Sequence, residues 1–330
     1  MRVLVIGGTG SFTHRVTELC VARGDEVMVV TRGRRPLPWK KARVLQADRA
    51  ALRDHATELS QFEPEAVIDS ICFEPERARD LVDLFQGARR VVLVSSVDVY
   101  GEDVGAMPVT ETHGTFPITA YARGKRASER VVLEGLGKRA TVFRPSHILG
   151  RTFLTTSLWG RSPHLVDRVR KGKAIPAIDG GRNVMTPVYA LDAARWVVAS
   201  LDRAQADGEI FNAVGGESVT QRDYYGTIAA ILGVELKVVA VPSHVFRRHV
   251  ASPSQFNWHR PYSCAKAVAA LGIAPSGTVR SMLEETVRHM LEAGLVRDCA
   301  EHPVDDELVA LSLCHEEELG ALLSRPNTAT

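Results

Sequence analysis

Four consecutive apolar residues, Val3-Leu4-Val5-Ile6, run straight into Gly7-Gly8-Thr9-Gly10 at the start of a 330-residue chain. The run is unbroken and rich in β-branched side chains, the pattern of a strand buried on both faces of a parallel sheet. Beyond the glycines, Phe12, Val16, Leu19 and Cys20 fall on one side of a helix that Gly24 ends, and Glu26–Thr31 reads as a second strand. Strand, glycine turn, helix and strand make a βαβ unit compact enough to hold a dinucleotide. Glycine lets the backbone approach a pyrophosphate, and the helix N-terminus adds N–H donors and a positive dipole end. The turn therefore predicts cofactor contacts at Gly7, Thr9, Gly10, Ser11 and Phe12.

The same alternation continues. Strand-like runs recur at 43–45, 66–71, 90–95 and 140–143, with helical segments at 50–62, 76–85 and 119–134 between them. Strands alternating with helices predict an α/β fold, a Rossmann-type doubly wound parallel sheet. After Pro145 the regularity drops. Residues 1–145 are expected to form the dinucleotide-binding domain, with 186–215 returning to it. Residues 146–185 and 216–300 are expected to form a small substrate-binding lobe, and 301–330 a tail with a short amphipathic helix and a mobile polar end.

The formal net charge of +2 is spread over mixed acids and bases, so nothing points to nucleic acid or to a membrane surface. The five cysteines have neither metal-ligand nor disulfide-framework spacing, which fits free thiols and no metal. The N-terminal apolar run is too short for a signal-peptide core. These features together predict a soluble, cytoplasmic enzyme with a small-molecule substrate.

Tyr121-Ala-Arg-Gly-Lys125 places a phenol and an ammonium four residues apart, on one face of a helix. The positive charge favours the phenolate and draws the tyrosine pKa down from about 10. A tyrosine so placed could exchange a proton with a substrate hydroxyl or ketone while a nicotinamide exchanges a hydride with the same carbon, although alone such a pair mostly marks a helix face. Upstream, a buried strand ends in Ser95-Ser96-Val-Asp98-Val-Tyr-Gly101. Downstream lie Arg144-Pro145-Ser-His-Ile148-Leu-Gly150 and Pro187-Val-Tyr-Ala-Leu-Asp192-Ala-Ala.

In this order these segments resemble those of the extended short-chain dehydrogenase/reductases, the NAD-dependent epimerase/dehydratase family, over residues 1 to about 295. The resemblance implies catalytic roles for Ser96, Tyr121 and Lys125. It also implies cofactor contacts at Asp48, Arg49, Ile71, Ser95, Pro145 and Ile148, beside Tyr121 and Lys125 themselves. The spacing Gly7-x-x-Gly10-x-x-Thr13 departs from the family's GxxGxxG at Thr13, which is expected to widen the helix–strand gap slightly.

At the end of the second strand, Thr31-Arg32-Gly33-Arg34-Arg35 holds no acid for a ribose 2′-hydroxyl, whereas Arg32 suits a 2′-phosphate. NADP(H) is favoured and NAD(H) remains open, because the alternative reading of these arginines is a solvated basic loop. Val97 cannot transfer a proton, which disfavours 4,6-dehydration, and Asp98 is either an extra acid or a structural cap. Met185 stands where family members carry an arginine for a substrate pyrophosphate, and a second arginine expected near Pro253 is also missing. Arg182 or Arg260 remains to take that part. The expected function is a nucleotide-sugar epimerase or ketoreductase. The alternatives are an alcohol/ketone oxidoreductase on a non-nucleotide metabolite and a non-catalytic NADP- or RNA-binding member. The resemblance further implies a homodimer through helices near 76–85 and 119–134, where core packing explains Leu81, Leu84 and Phe85 equally well.

Overall fold

The computed structural model describes residues 1–10, 12–34, 38–102, 104–249 and 258–324. Ser11, Arg35 and Pro253 lie outside these. Two compact units are present, Met1–Arg151 with Thr186–Ser218 and Pro261–Thr278, and Thr152–Met185 with Val219–Arg260 and Val279–Thr330.

The first unit is built on seven strands: β1 (Arg2–Ile6), β2 (Glu26–Thr31), β3 (Arg43–Gln46), β4 (Ala66–Asp69), β5 (Arg90–Val94), β6 (Ala140–Pro145) and β7 (Ile210–Ala213). Their order is β7-β6-β5-β4-β1-β2-β3, and every pairing is parallel. This is the doubly wound α/β sheet expected from the alternation. The chain leaves β1 toward β2 on one side and returns through β4 on the other, so the strand order reverses between β1 and β4. A crevice outside the carboxyl ends of the strands opens at such a point.

The inner strands carry apolar runs because both faces are covered, whereas the edge strand β3 is exposed at three of its four residues. One core gathers Val3, Val5, Val27, Val29 and Ile68 with Val16 and Cys20 of helix α1 (Thr13–Arg23), and with Trp196 of helix Ala190–Ser200. The other gathers Leu4, Ile6, Met28 and Val30 with Leu59 and Phe62 of α2 (Ala56–Phe62), Leu81 of α3 (Pro75–Leu84), and Val132 and Leu136 of α4 (Ala120–Leu136). Leu81 and Phe85 are buried in this second core and Leu84 packs against it. The exposed residues of α3 and α4 include Glu76, Arg79, Asp83, Arg123, Arg130 and Glu134, a charged face.

Three expectations are corrected. The segment 50–62 is not one helix: a 3-10 helix, Arg49–His55, precedes α2, with Ala51 outside helical φ/ψ. Residues 261–278 cluster with the first unit. The Asp192 carboxylate accepts hydrogen bonds from Ser276 N (2.8 Å), Ser276 Oγ (2.6 Å) and Gly277 N (3.0 Å), and Lys266 Nζ donates to Ile210 O (2.8 Å). The C-terminal helix is long, Val304–Leu323.

The second unit pairs Ile175–Ile178 with Val238–Val241 in parallel and Val184–Met185 with Val219–Thr220 antiparallel. Buried Tyr224 and Tyr225 use their hydroxyls to accept the backbone N–H groups of Thr155 (3.1 Å) and Ser157 (2.8 Å). The first turn of Val304–Leu323 is tied down by Trp159 Nε1 donating to Asp305 (2.8 Å) and Lys173 Nζ donating to Asp306 (2.6 Å). No helix among the described residues is long and apolar enough to cross a membrane.

Candidate functional site

The turn after β1 is shaped by what its glycines exclude. Gly7 has φ +81°, which strains any other residue, and a Cβ on Gly8 would lie 2.8 Å from Thr17 Oγ1 and 2.9 Å from Val29 Cγ1. Thr13, in place of the third glycine, turns its hydroxyl into the loop and donates to Gly7 O at 2.5 Å. Its side chain thus closes the turn. Helix α1 has Phe12 at its N-cap, with no side-chain capping bond and no acid in its first turn. A bare helix start behind a glycine turn fits a pyrophosphate.

Around this turn the structure gathers several of the expected cofactor residues. Thr9 and Thr31 link the turn to the end of β2 through their hydroxyls (3.3 Å), and half-buried Ile71 packs against Gly7. Arg32 is exposed, as is Asp48, whose Oδ1 caps the following 3-10 helix by accepting Ala50 N at 2.8 Å. Arg49 is placed differently. Its guanidinium is buried and donates to Asp69 (2.7 Å), Asp80 (3.5 Å) and Arg77 O (2.6 Å), so its hydrogen bonds go to holding the 3-10 helix against β4 and α3.

The second cluster sits where β5 ends. Ser96 lies two residues beyond the strand and caps the short turn Val97–Tyr100, its Oγ accepting Asp98 N at 3.2 Å. A hydroxyl that accepts there still has its own proton to donate. Asp98 is itself buried within that turn. Thr119 caps α4 by accepting Ala122 N (3.0 Å), which sets the helix so that Tyr121, Lys125 and Glu129 share a face. Lys125 is buried and donates to Val94 O at 2.7 Å, fastening the helix to the end of β5. Its Nζ lies 5.9 Å from the centroid of the Tyr121 ring, and Tyr121 is 41% exposed. Burial pulls Lys125 down from 10.5 to about 8, against the attraction of Asp69, Cys72 and Glu129. Pro145 is buried at the end of β6, and Ile148 pairs with Val188 beyond it.

Two contributors escaped the sequence reading. Glu129 is wholly buried, takes two hydrogen bonds from Arg144 (2.9 and 2.7 Å) and one from Ser95 Oγ (2.6 Å). Its signal was its position, one turn beyond Lys125 on the same face. Phe73, from the loop after β4, lays its ring 4.5 Å from Lys125 Nζ. Nothing local in the sequence announced it.

Arg182 and Arg260 belong to the second unit. Arg182 is exposed; Arg260 is buried with its guanidinium 4.3 Å from the centre of the Trp258 ring, and its backbone bridges to Met185. Also in that unit, Asp167, Asp298 and Cys299 come within metal-ligand reach of one another. The Lys171 ammonium already supplies a cation to both acids, at 2.8 and 2.7 Å.

Residues 3–213 match the model of the NAD dependent epimerase/dehydratase family. The 2'-dehydrokanamycin reductase of Streptomyces kanamyceticus is 26% identical over 254 residues, spanning 74% of this chain and 70% of that protein. The dTDP-4-dehydrorhamnose reductase of Streptomyces griseus is 28% identical over 159 residues, 45% of this chain and only 50% of that relative's length. Among solved structures, the UDP-glucose 4-epimerase of Thermotoga maritima with UDP-glucose superposes with a TM-score of 0.74 at 20% identity, covering 89% of this chain and 99% of that one.

Proposed function

The chain belongs to the NAD-dependent epimerase/dehydratase family and is an oxidoreductase or epimerase of the short-chain dehydrogenase/reductase type, and from that premise we propose that it is a ketoreductase acting on the keto group of a sugar or a related polyhydroxy metabolite. The observation that carries this reading is the hydroxyl, phenol and ammonium of Ser96, Tyr121 and Lys125 around the carboxyl end of β5. The reductases matched in sequence support the same direction.

Gly7, Thr9, Gly10, Phe12 and the uncapped start of α1 would hold the pyrophosphate. Ile71, Ser95, Pro145 and Ile148 would line the path toward Lys125. Bound there, the nicotinamide supplies the hydride. Ser96 donates a hydrogen bond to the substrate oxygen and fixes its position. Tyr121 passes its phenolic proton to that oxygen as negative charge develops on it. Lys125, held by Val94 O, keeps positive charge behind the phenol and would bind the ribose hydroxyls of the cofactor. In this scheme Asp48 would contact the adenine and Arg32 would meet a 2′-phosphate, which would favour NADP(H) over NAD(H). Asp98 is kept in the role of a turn residue.

A second reading, epimerisation of a nucleotide sugar, is favoured by Arg260. Its backbone bridges to Met185, the position where family members carry their pyrophosphate arginine, and its guanidinium lies over the Trp258 ring. Substrate profiling against keto sugars with each reduced cofactor separates the two. Net oxidation of NADPH by a keto sugar supports reduction. Interconversion of nucleotide sugars without added cofactor would replace that reading by epimerisation.

A further inference from the structure

Phe73 lies in the loop between β4 and α3, away from the motifs that define the site in sequence. Its ring centre is 4.5 Å from Lys125 Nζ and 6.0 Å from the centre of the Tyr121 ring, so one side chain touches both members of the pair. The approach is built into the backbone. A Cβ on Gly124, the residue before Lys125, would collide with the Phe73 carbonyl oxygen, and only a glycine lets the loop press onto the helix there. Phe73 is nevertheless 47% exposed, so little of the core rests on it.

We propose that Phe73 is a positioning residue, whose ring face holds the Lys125 ammonium in its charged form beside Tyr121. The groups facing Lys125 leave this part to fill. Asp69 reaches it from β4, but that carboxylate is paired with Arg49. Glu129 reaches it from α4, but is bidentate with Arg144. Cys72, from the same loop as Phe73, is a buried thiol whose pKa is pushed up to about 11, so it is neutral. From β5 comes only the carbonyl dipole of Val94. Both nearby acids are thus largely neutralised by their own arginines, while burial works against the ammonium. An aromatic face within about 6 Å attracts a cation, most strongly where water is excluded. Among the described residues, Phe73 is the closer of the two rings that face Lys125, the other being Tyr121 itself.

The catalytic consequence rests on the reading of Tyr121 and Lys125 as the reacting pair; the contact between Phe73 and Lys125 does not. Two readouts keep these apart. In the first, lysine ε-carbons are isotopically labelled and titrated by NMR, with Lys125→Arg identifying the signal. The Lys125 midpoint should fall by about one unit in Phe73→Leu, which keeps apolar bulk without a quadrupole, and stay near its original value in Phe73→Tyr. In the second, the alkaline limb of the kcat/KM profile should move down by the same amount in Phe73→Leu and recover in Phe73→Tyr. An unchanged Lys125 titration in Phe73→Leu overturns the proposal, as does an equal shift in both variants. A limb that stays in place while the titration moves overturns the positioning role. If the titration moves but no ketone is reduced by the wild type, the contact stands and the ketoreductase reading falls.

Discussion

Replacing Glu129 by glutamine tests the support beneath the site. The carboxylate is wholly buried and accepts three hydrogen bonds, two from Arg144 and one from Ser95 Oγ. Glutamine keeps the shape and one acceptor oxygen. Its amide nitrogen, however, faces a guanidinium that is itself buried, and the negative charge is gone. Arg144 cannot shed its proton, and its neighbourhood holds it firmly charged, with Glu129 the main partner. Removing one partner of such a pair costs about 3–5 kcal/mol, because the other charge stays buried and uncompensated. For a unit of this size each kcal/mol moves the melting temperature by about 2–4 °C, so the transition should drop by roughly 6–20 °C. The assay is denaturant and thermal unfolding of the wild type, Glu129→Gln, Arg144→Met and the double variant. The double variant should be more stable than the sum of the single losses allows, since it leaves no lone buried charge; Arg126, the other cation near Glu129, is partly exposed. A loss below about 1 kcal/mol in Glu129→Gln, or strict additivity in the cycle, would refute the reasoning.

Arg32→Ala should weaken NADP(H) binding about ten- to a hundredfold and leave NAD(H) nearly unchanged, read by calorimetric titration of both cofactors. Equal binding of the two cofactors by the wild type would leave the arginine in solvent. Activity should fall as pH rises through about 8, where Lys125 loses its proton. Stability should rise with pH from about 8 to 10.5, because across that window the unfolded chain carries the Lys125 proton and the folded chain does not. A rate profile flat across that range would contradict the assignment. A homodimer through α3 and α4 would have to form on a charged face, so we expect light scattering at micromolar concentration to show a dimer that dissociates as salt is raised.

The central sheet was legible because strands covered on both faces are continuous apolar runs, and Val3–Ile6 and Val91–Val94 are both of this kind. Ser96, Tyr121 and Lys125 could be found because a strand end and a helical i, i+4 pair are local patterns. The break at Ala51 was not legible, since residues 50–62 keep a helical composition across it. The return of 261–278 to the first unit depends on the Asp192 carboxylate meeting Ser276 across more than eighty residues. Glu129 could not be singled out from its own helix because its partner Arg144 is on another element. Phe73 meets Lys125 from a separate loop, and no spacing within either segment encodes that meeting. Arg49 was carried over by its place in a family pattern, whereas its actual partners, Asp69 and Asp80, lie 20 and 31 residues away.

The transfer of a proton by Tyr121 is tested most directly with Tyr121→Phe, which removes one oxygen and leaves the ring against Phe73. Turnover of a keto substrate and cofactor affinity are measured on the same preparation. General acid catalysis contributes about a hundred- to ten-thousandfold, so turnover should drop by that factor while the cofactor dissociation constant stays within about twofold. A variant that keeps most of its turnover would contradict the role of Tyr121.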